Sequence, residues 1–150
     1  MKTVLTLFGT RPEAIKLAPV IWALERRPGE WRGVTVSSSQ HTDLLRPFIR
    51  QMGLRIDHDL AVMTPGQAPA DVLARVIAGL TPILARESPD VLLVQGDTTT
   101  AVAGALAVGE RESGELVVAE GLHPRLEGVD GRDLLLEGLE APAFTGVHQL

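Results

Sequence analysis

The chain has 150 residues, 45% of them hydrophobic, which is enough to build the core of one ordinary globular domain. Its net charge of −5 comes without any basic block, which argues against general nucleic-acid binding. The absence of cysteine excludes disulfides and thiolate metal sites. No apolar run reaches membrane-spanning length and the first residues show no signal-peptide pattern, so we expect a cytoplasmic protein with no membrane partner.

Strands and helices are predicted to alternate through the first 120 residues. The predicted strands cover 4–8, 33–37, 90–95 and 115–119, with a short extended piece at 60–63, and the predicted helices cover about 12–27, 42–52, 70–86 and 101–108. The first helix is predicted to bury one face, formed by Ile15, Ala18, Ile21 and Trp22. Pro19 predicts a kink or local break in that helix, and Gly53 is expected to end the second. This alternation is typical of an α/β fold with a doubly wound, Rossmann-like parallel sheet of about four or five strands.

The junction between the first strand and the first helix has the pattern of an anion site. Thr10 followed by Glu13 predicts a capping box, and Pro12 is tolerated because the first helical turn needs no donor there. Free backbone N–H groups and the positive end of the helix dipole would then lie at the carboxyl end of a strand, where α/β sheets bind anions. Arg11 adds a bidentate fork and Lys16 a point charge, which favours a phosphate or carboxylate ligand.

This junction and three later segments resemble the non-hydrolysing UDP-N-acetylglucosamine 2-epimerases. The matching segments, in family order and at suitable spacing, are Phe8–Lys16, Ser39-Gln40-His41, Asp59–Met63 with Gln67, and Gly96–Thr100. The resemblance implies one Rossmann-like half of a two-domain GT-B architecture. It also implies the interconversion of UDP-N-acetylglucosamine and UDP-N-acetylmannosamine, by elimination and re-addition of UDP, without an organic cofactor.

The matching positions imply roles for three side chains. Arg11 and Lys16 would bind the charged part of the UDP-sugar substrate, and Asp97 would be catalytic, through sugar binding or proton transfer. Asp97 and Lys16 also have ordinary explanations in their positions. Asp97 and the three threonines after it would cap the helix that follows, and Lys16 would be a solvated helix lysine.

A second nucleotide-sugar site, regulatory in the family, is implied near Gln40, His41 and Gln67. The family has an Arg-Gln pair where this chain has Gly66 and Gln67, so the chain lacks the charged fork of that pair. These side chains would otherwise be ordinary polar loop residues. The histidines elsewhere are isolated, and no metal site is predicted.

The resemblance weakens towards the end of the chain. Epimerases of this type carry His-Val-Glu-Ala-Gly-Leu-Arg where an ungapped extension puts 117–123 of this chain, so the Glu and Ala are interchanged and His123 replaces the Arg. We therefore predict a Rossmann-like domain over 1–120 and a divergent tail of uncertain structure over 121–150. The partners expected are a second domain, encoded separately or lost, and a second copy of the chain, since family members are dimers.

Three functions remain open at this point. The chain could be the amino-terminal domain of an epimerase, inactive in isolation, or an α/β module that binds a nucleotide sugar or phosphate without turnover, or a non-functional remnant. Release of a glycal or UDP would favour the first function. Ligand-induced stabilisation without turnover would favour the second, and the absence of both would favour the third.

Overall fold

The computed structural model describes residues 1–40, 42–109 and 115–119, which form a parallel sheet of five strands flanked by helices. In chain order the elements are β1 (Lys2–Phe8), α1 (Arg11–Glu25), β2 (Trp31–Ser37), α2 (Thr42–Met52), β3 (His58–Asp59), α3 (Pro69–Glu87), β4 (Val91–Gln95), α4 (Thr99–Gly109) and β5 (Glu115–Ala119). The sheet order is β3-β2-β1-β4-β5, and all neighbouring strands are parallel. The order reverses between β1 and β4, which is the switch point of a doubly wound sheet.

Alternate residues of β1 pack into two different core clusters. Val4 and Phe8 lie in one cluster with residues of α1 and α2, whereas Leu5 and Leu7 lie in another with residues of α3 and α4. Successive side chains of a strand point to opposite faces of the sheet, so the two helix pairs cover opposite faces. The predicted Rossmann-like, doubly wound α/β fold is confirmed.

Helix α1 differs from its prediction in two respects. It runs without interruption through the exposed Pro19, so of the predicted kink or local break the break is absent, and a kink stays a prediction. The lost hydrogen bond does not end the helix, because the turns on either side of Pro19 are held by packing on the sheet. The buried face is formed by Ala14, Leu17, Ala18, Ile21 and Leu24. Ile15 is instead 45% exposed, since neighbouring helix positions lie about 100° apart around the axis.

The short extended piece predicted at 60–63 was wrong in position. The third strand is His58–Asp59, which pairs with the end of β2. Ala61 has a φ of 47° and donates its backbone N–H to the Asp59 carboxylate at 3.0 Å. This Asp side-chain turn stops the extended chain before residue 62.

The remaining element boundaries agree with the prediction to within two residues, and Gly53 ends α2 with a φ of 62°. No helix in the described part of the chain is long and apolar enough to cross a membrane. The predicted tail over 121–150 lies outside the described residues, as does the altered motif from Glu120 onward. The proposed domain boundary at residue 120 therefore stays a prediction.

Candidate functional site

The loops that follow β1, β2 and β4 meet at one edge of the sheet, because these three strands are adjacent and parallel. We call this the carboxyl edge, and in doubly wound sheets it is where ligands bind. Arg11 is the first residue of α1, and Asp97 lies in the turn between β4 and α4. The structure thus brings two predicted site residues, 86 positions apart in the sequence, to the same edge.

Glu13 holds two of these loops together. The residue is 2% exposed, and its Oε2 accepts the backbone N–H of Gly9 at 2.9 Å, that of Thr10 at 2.7 Å and the Thr10 hydroxyl at 2.9 Å. Its Oε1 accepts the hydroxyl of Thr98. A buried carboxylate is tolerated only when donors satisfy it in this way. The bond to the Thr10 N–H confirms the capping role predicted for Glu13, whereas its burial and its bond to Thr98 were not predicted.

Glu13 takes up two backbone N–H groups beside the predicted anion site at the start of α1. They are those of Gly9 and Thr10, which precede the helix. Within the first turn of α1, Pro12 has no N–H to offer. The guanidinium of Arg11 is therefore the charged donor at this junction, and the anion site stays a prediction.

The side chain of Arg11 is exposed and forms no hydrogen bond or ion pair with any other described residue. Lys16, one turn and a half further along α1, lies against the end of β4. The side-chain amide of Gln95 is oriented so that its hydrogen bonds are satisfied. Its oxygen then accepts from Lys16 Nζ at 3.1 Å and from the Gly96 N–H at 3.2 Å. Lys16 is exposed, and this hydrogen bond directs it towards the loop that carries Asp97.

Thr98, rather than Asp97, caps helix α4. The Thr98 hydroxyl oxygen accepts the backbone N–H of Ala101 at 3.2 Å in the first turn of that helix. Asp97 is exposed and has no hydrogen-bond or ion-pair partner among the described residues. The ordinary explanation of Asp97 as a cap is therefore not supported, and its carboxylate is available to a ligand.

Gly9 lies in close contact with the loop after β2 and with the start of α4. A Cβ atom at this position would lie 2.2 Å from Ser38 Oγ and 2.4 Å from Thr100 Oγ1, so a larger residue would force a shift. These two buried hydroxyls are 2.8 Å apart, and that of Thr100 donates to Gln40 Oε1 at 3.0 Å. A hydroxyl has one proton, so Ser38 is the donor to Thr100. The Gln40 oxygen is thus occupied and its NH₂ group is left for other partners.

Gln40 and Gln67, two of the three predicted regulatory residues, line one pocket of about 250 Å³. The pocket also has lining residues from the start of α3 and the start of α4. Gln67 uses its own oxygen within its turn, accepting the N–H and the hydroxyl of Thr64, both at 3.0 Å. His41 lies outside the described residues. The two glutamines therefore offer this pocket only neutral NH₂ groups, and that of Gln67 already donates to Met63 Sδ at 3.6 Å. Gly66, with a φ of 69°, adds no side chain.

A second set of charges lies where the end of α3 meets β2 and β3. We call it the Glu87 cluster, formed by Arg32, His58, Arg86 and Glu87. Glu87 accepts from Arg32, from His58 Nε2 at 3.1 Å and from Arg86 Nε at 3.2 Å. The hydrogen bond from Arg32 holds the pKa of Glu87 below its usual value, and the bonds from Arg86 and His58 lower this pKa further against the opposing effect of burial. In the described ranges, no group of three or more His, Asp and Glu residues could hold a metal ion.

Comparison with known proteins shows which family this chain is similar to. Residues 23–112 match the family model described as UDP-N-acetylglucosamine 2-epimerase. The enzyme of that name from Salmonella typhimurium is 48% identical over 104 residues, which are 69% of this chain and 27% of the relative. The chain thus spans about a quarter of the length of this curated relative.

Solved structures agree with the sequence comparison. The UDP-GlcNAc 2-epimerase of Neisseria meningitidis, bound to UDP-GlcNAc, matches with a TM-score of 0.68 and 36% identity, over 79% of this chain and 31% of its own. That of Methanocaldococcus jannaschii, in complex with UDP-GlcNAc and UDP, matches with a TM-score of 0.68 and 31% identity, over 80% of this chain and 32% of its own. The fold is that of one Rossmann-like half of a GT-B architecture, and the chain belongs to the UDP-N-acetylglucosamine 2-epimerase family.

Proposed function

We propose that this domain binds the diphosphate of a UDP-sugar at its carboxyl edge and forms one wall of a UDP-N-acetylglucosamine 2-epimerase active site. The observation that carries the proposal is the unpaired Arg11 at the same edge as the exposed Asp97, with Lys16 held beside the Asp97 loop by Gln95. Unpaired charges of opposite sign fit a ligand that has an anionic part and a neutral, hydroxylated part. Relatives solved with UDP-GlcNAc support a nucleotide sugar as that ligand.

The reaction would eliminate UDP as the C2 proton leaves the sugar, and would then add UDP back with a proton on the opposite face of C2. Arg11 fits the departing diphosphate through its planar fork, and Lys16 adds a second positive charge. Asp97 would bind the sugar or take part in the proton transfer. A second Rossmann-like domain, on a continuation of this chain or on another chain, would close the cleft and exclude water.

We assign the diphosphate to Arg11 and not to the pocket lined by Gln40 and Gln67. The oxygens of both glutamines are already used within the protein, so these side chains offer only neutral donors. A charged donor holds a phosphate about twice as strongly as a neutral one. A regulatory role for this pocket, with His41, stays a prediction.

Two variants at adjacent positions test the ligand assignment. Arg11→Ala should weaken UDP binding about 10- to 150-fold, because a hydrogen bond to a charged group is worth about 1.5–3 kcal/mol. Its stability should barely change, since Arg11 is exposed and without a partner among the described residues. Thr10→Ala should instead lower stability by about 1 kcal/mol through the weakened cap. Titration calorimetry and thermal melts of both variants measure these effects, and a lower melting temperature with unchanged UDP affinity for Arg11→Ala would make Arg11 structural.

A turnover assay tests the need for a second domain. The 150-residue chain alone should not epimerise UDP-N-acetylglucosamine, because one wall of a cleft cannot exclude water from the reacting sugar. The assay follows exchange of the C2 proton in deuterated water. Exchange catalysed by the pure chain would contradict the need for a second domain. It would not contradict the proposed diphosphate site.

A further inference from the structure

We infer that Glu13 is a positioning residue, which clamps the loop carrying Arg11 to the loop carrying Asp97. The inference rests on the proposed function of the carboxyl edge as a UDP-sugar site. It concerns a buried carboxylate that itself has no open side for a ligand, since the residue is 2% exposed. Glu13 would therefore act through the residues it holds.

The hydrogen bonds of Glu13 exceed what a helix cap requires. A capping glutamate accepts the N–H of the residue before the helix, which here is Thr10, and needs no more. Glu13 also accepts from Gly9 with the same oxygen, and its other oxygen reaches Thr98, 85 positions away in the sequence. One carboxylate thus joins the end of β1 to the start of α4.

Each end of the clamp lies next to a residue of the proposed site. Thr10 directly precedes Arg11, and Thr98 directly follows Asp97. The Thr98 hydroxyl is held on both sides, since it donates to Glu13 and accepts from the N–H of Ala101. One buried side chain thus links the residue before Arg11 to the residue after Asp97 through hydrogen bonds.

Electrostatics and positioning predict opposite effects of neutralising Glu13. Removal of a negative charge close to an anion site would by itself strengthen the binding of a diphosphate. Loss of the clamp would weaken that binding, because Arg11 would no longer be held in the geometry that the ligand needs. The sign of the change in UDP affinity therefore separates the two effects.

The first experiment detects the clamp without any ligand, from amide resonances of the full 150-residue chain in heteronuclear NMR spectra. Thr98→Val should shift the amide resonances of Gly9 and Thr10, and Glu13→Gln should shift those of residues 99–101. Thr98→Ser keeps a hydroxyl that can both donate and accept, and it should restore the Gly9 and Thr10 resonances. Unchanged Gly9 and Thr10 resonances in Thr98→Val would overturn the inference.

The second experiment measures UDP affinity by titration calorimetry below the melting temperature of each variant. Glu13→Gln should weaken UDP binding about tenfold, a part of the loss expected from deleting the Arg11 contact. Thr10→Ala is the matched control, because it removes a donor to Glu13 but leaves the bond to Thr98 intact, and its affinity should stay within about twofold. Arg11→Ala should cost less in the Glu13→Gln background than in the wild type, since the two residues act together.

Tighter or unchanged UDP binding by folded Glu13→Gln would overturn the positioning role. If the wild-type chain binds no UDP, the proposed function fails, and the clamp is then decided by the NMR experiment alone. The two failures are thus distinguishable.

Discussion

The carboxyl edge and the Glu87 cluster use charged side chains in opposite ways. In the Glu87 cluster a carboxylate that is 11% exposed is surrounded by three basic side chains, and its pKa is lowered by the hydrogen bond from Arg32. At the carboxyl edge the buried carboxylate of Glu13 is satisfied by backbone N–H groups and hydroxyls, while Arg11 and Asp97 have no partner among the described residues. Charges paired with one another serve the fold, and charges that the described fold leaves unpaired are available to a ligand.

Among the variants that test this comparison, Gly9→Ala should change the unfolding free energy most. The added methyl group would overlap Ser38 Oγ and Thr100 Oγ1, and we expect a loss of about 2–3 kcal/mol in unfolding free energy. UDP affinity should fall as well, because the displaced residues, Ser38 and Thr100, belong to the loop after β2 and to the start of α4. Both segments lie at the carboxyl edge, where the ligand is proposed to bind. Gly29→Ala is the control, since a Cβ there meets nothing within 4 Å, and it should change stability by less than about 0.5 kcal/mol. Equal denaturant midpoints for the two variants would contradict the close packing at Gly9.

Glu87→Gln should separate stability from ligand binding. We expect a loss of about 1.5–2 kcal/mol, the lower part of the range for hydrogen bonds to charged groups, because Arg32 and Arg86 are themselves exposed. UDP affinity should not change, since the Glu87 cluster lies where the end of α3 meets β2 and β3. None of its residues belongs to the loops that form the carboxyl edge. A fall in UDP affinity at full folding would show that the two regions are coupled.

The Glu87 cluster also predicts a pH dependence of stability. The folded-state pKa of Glu87 lies below its unfolded value, so its contribution is present above the unfolded pKa and is lost as the pH falls. Chemical denaturation of the wild type should show this loss mainly below about pH 5. Glu87→Gln should lack that part of the acid dependence, and parallel curves for the two proteins would contradict the assignment.

The smallest effect is expected from Asp97→Asn. Thr98 carries the capping bond of α4, so the unfolding free energy should change by less than about 0.5 kcal/mol. UDP affinity should stay equal or rise slightly, because a negative charge is removed near the diphosphate. Thermal melts and UDP titrations check both statements, and a strongly destabilised variant would make Asp97 a structural residue.

Sequence patterns predicted the strands and helices well because those signals are local. Apolar runs and breakers such as Gly53 act over a few residues, and the doubly wound order followed from the alternation of elements. The errors also have local causes. The predicted buried face of α1 wrongly included Ile15, which is exposed in the structure. The turn at Ala61 ends the extended chain early, so the third strand is His58–Asp59 and not 60–63.

The candidate site was predicted only in part, because much of it depends on contacts between distant residues. Arg11, Lys16 and Asp97 were found from motifs, whereas the bond from Thr98 to Glu13 spans 85 positions and that from Arg32 to Glu87 spans 55. A Thr-x-x-Glu pattern predicts a cap, but no sequence pattern indicates that the glutamate is buried against a second loop. The role of Gln95 in directing Lys16 was missed for the same reason.

A UDP titration followed by NMR amide shifts is the most direct test of a diphosphate site at the carboxyl edge. We expect saturable shifts at Arg11, at residues 13–16 and at 96–100, with the amides next to Arg32, His58 and Glu87 unaffected. The same titration of Arg11→Ala should need about 10- to 150-fold more UDP for half-saturation. Saturable shifts centred on the Glu87 cluster, or no saturable shifts at the carboxyl edge of the folded wild type, would contradict a UDP site at the carboxyl edge.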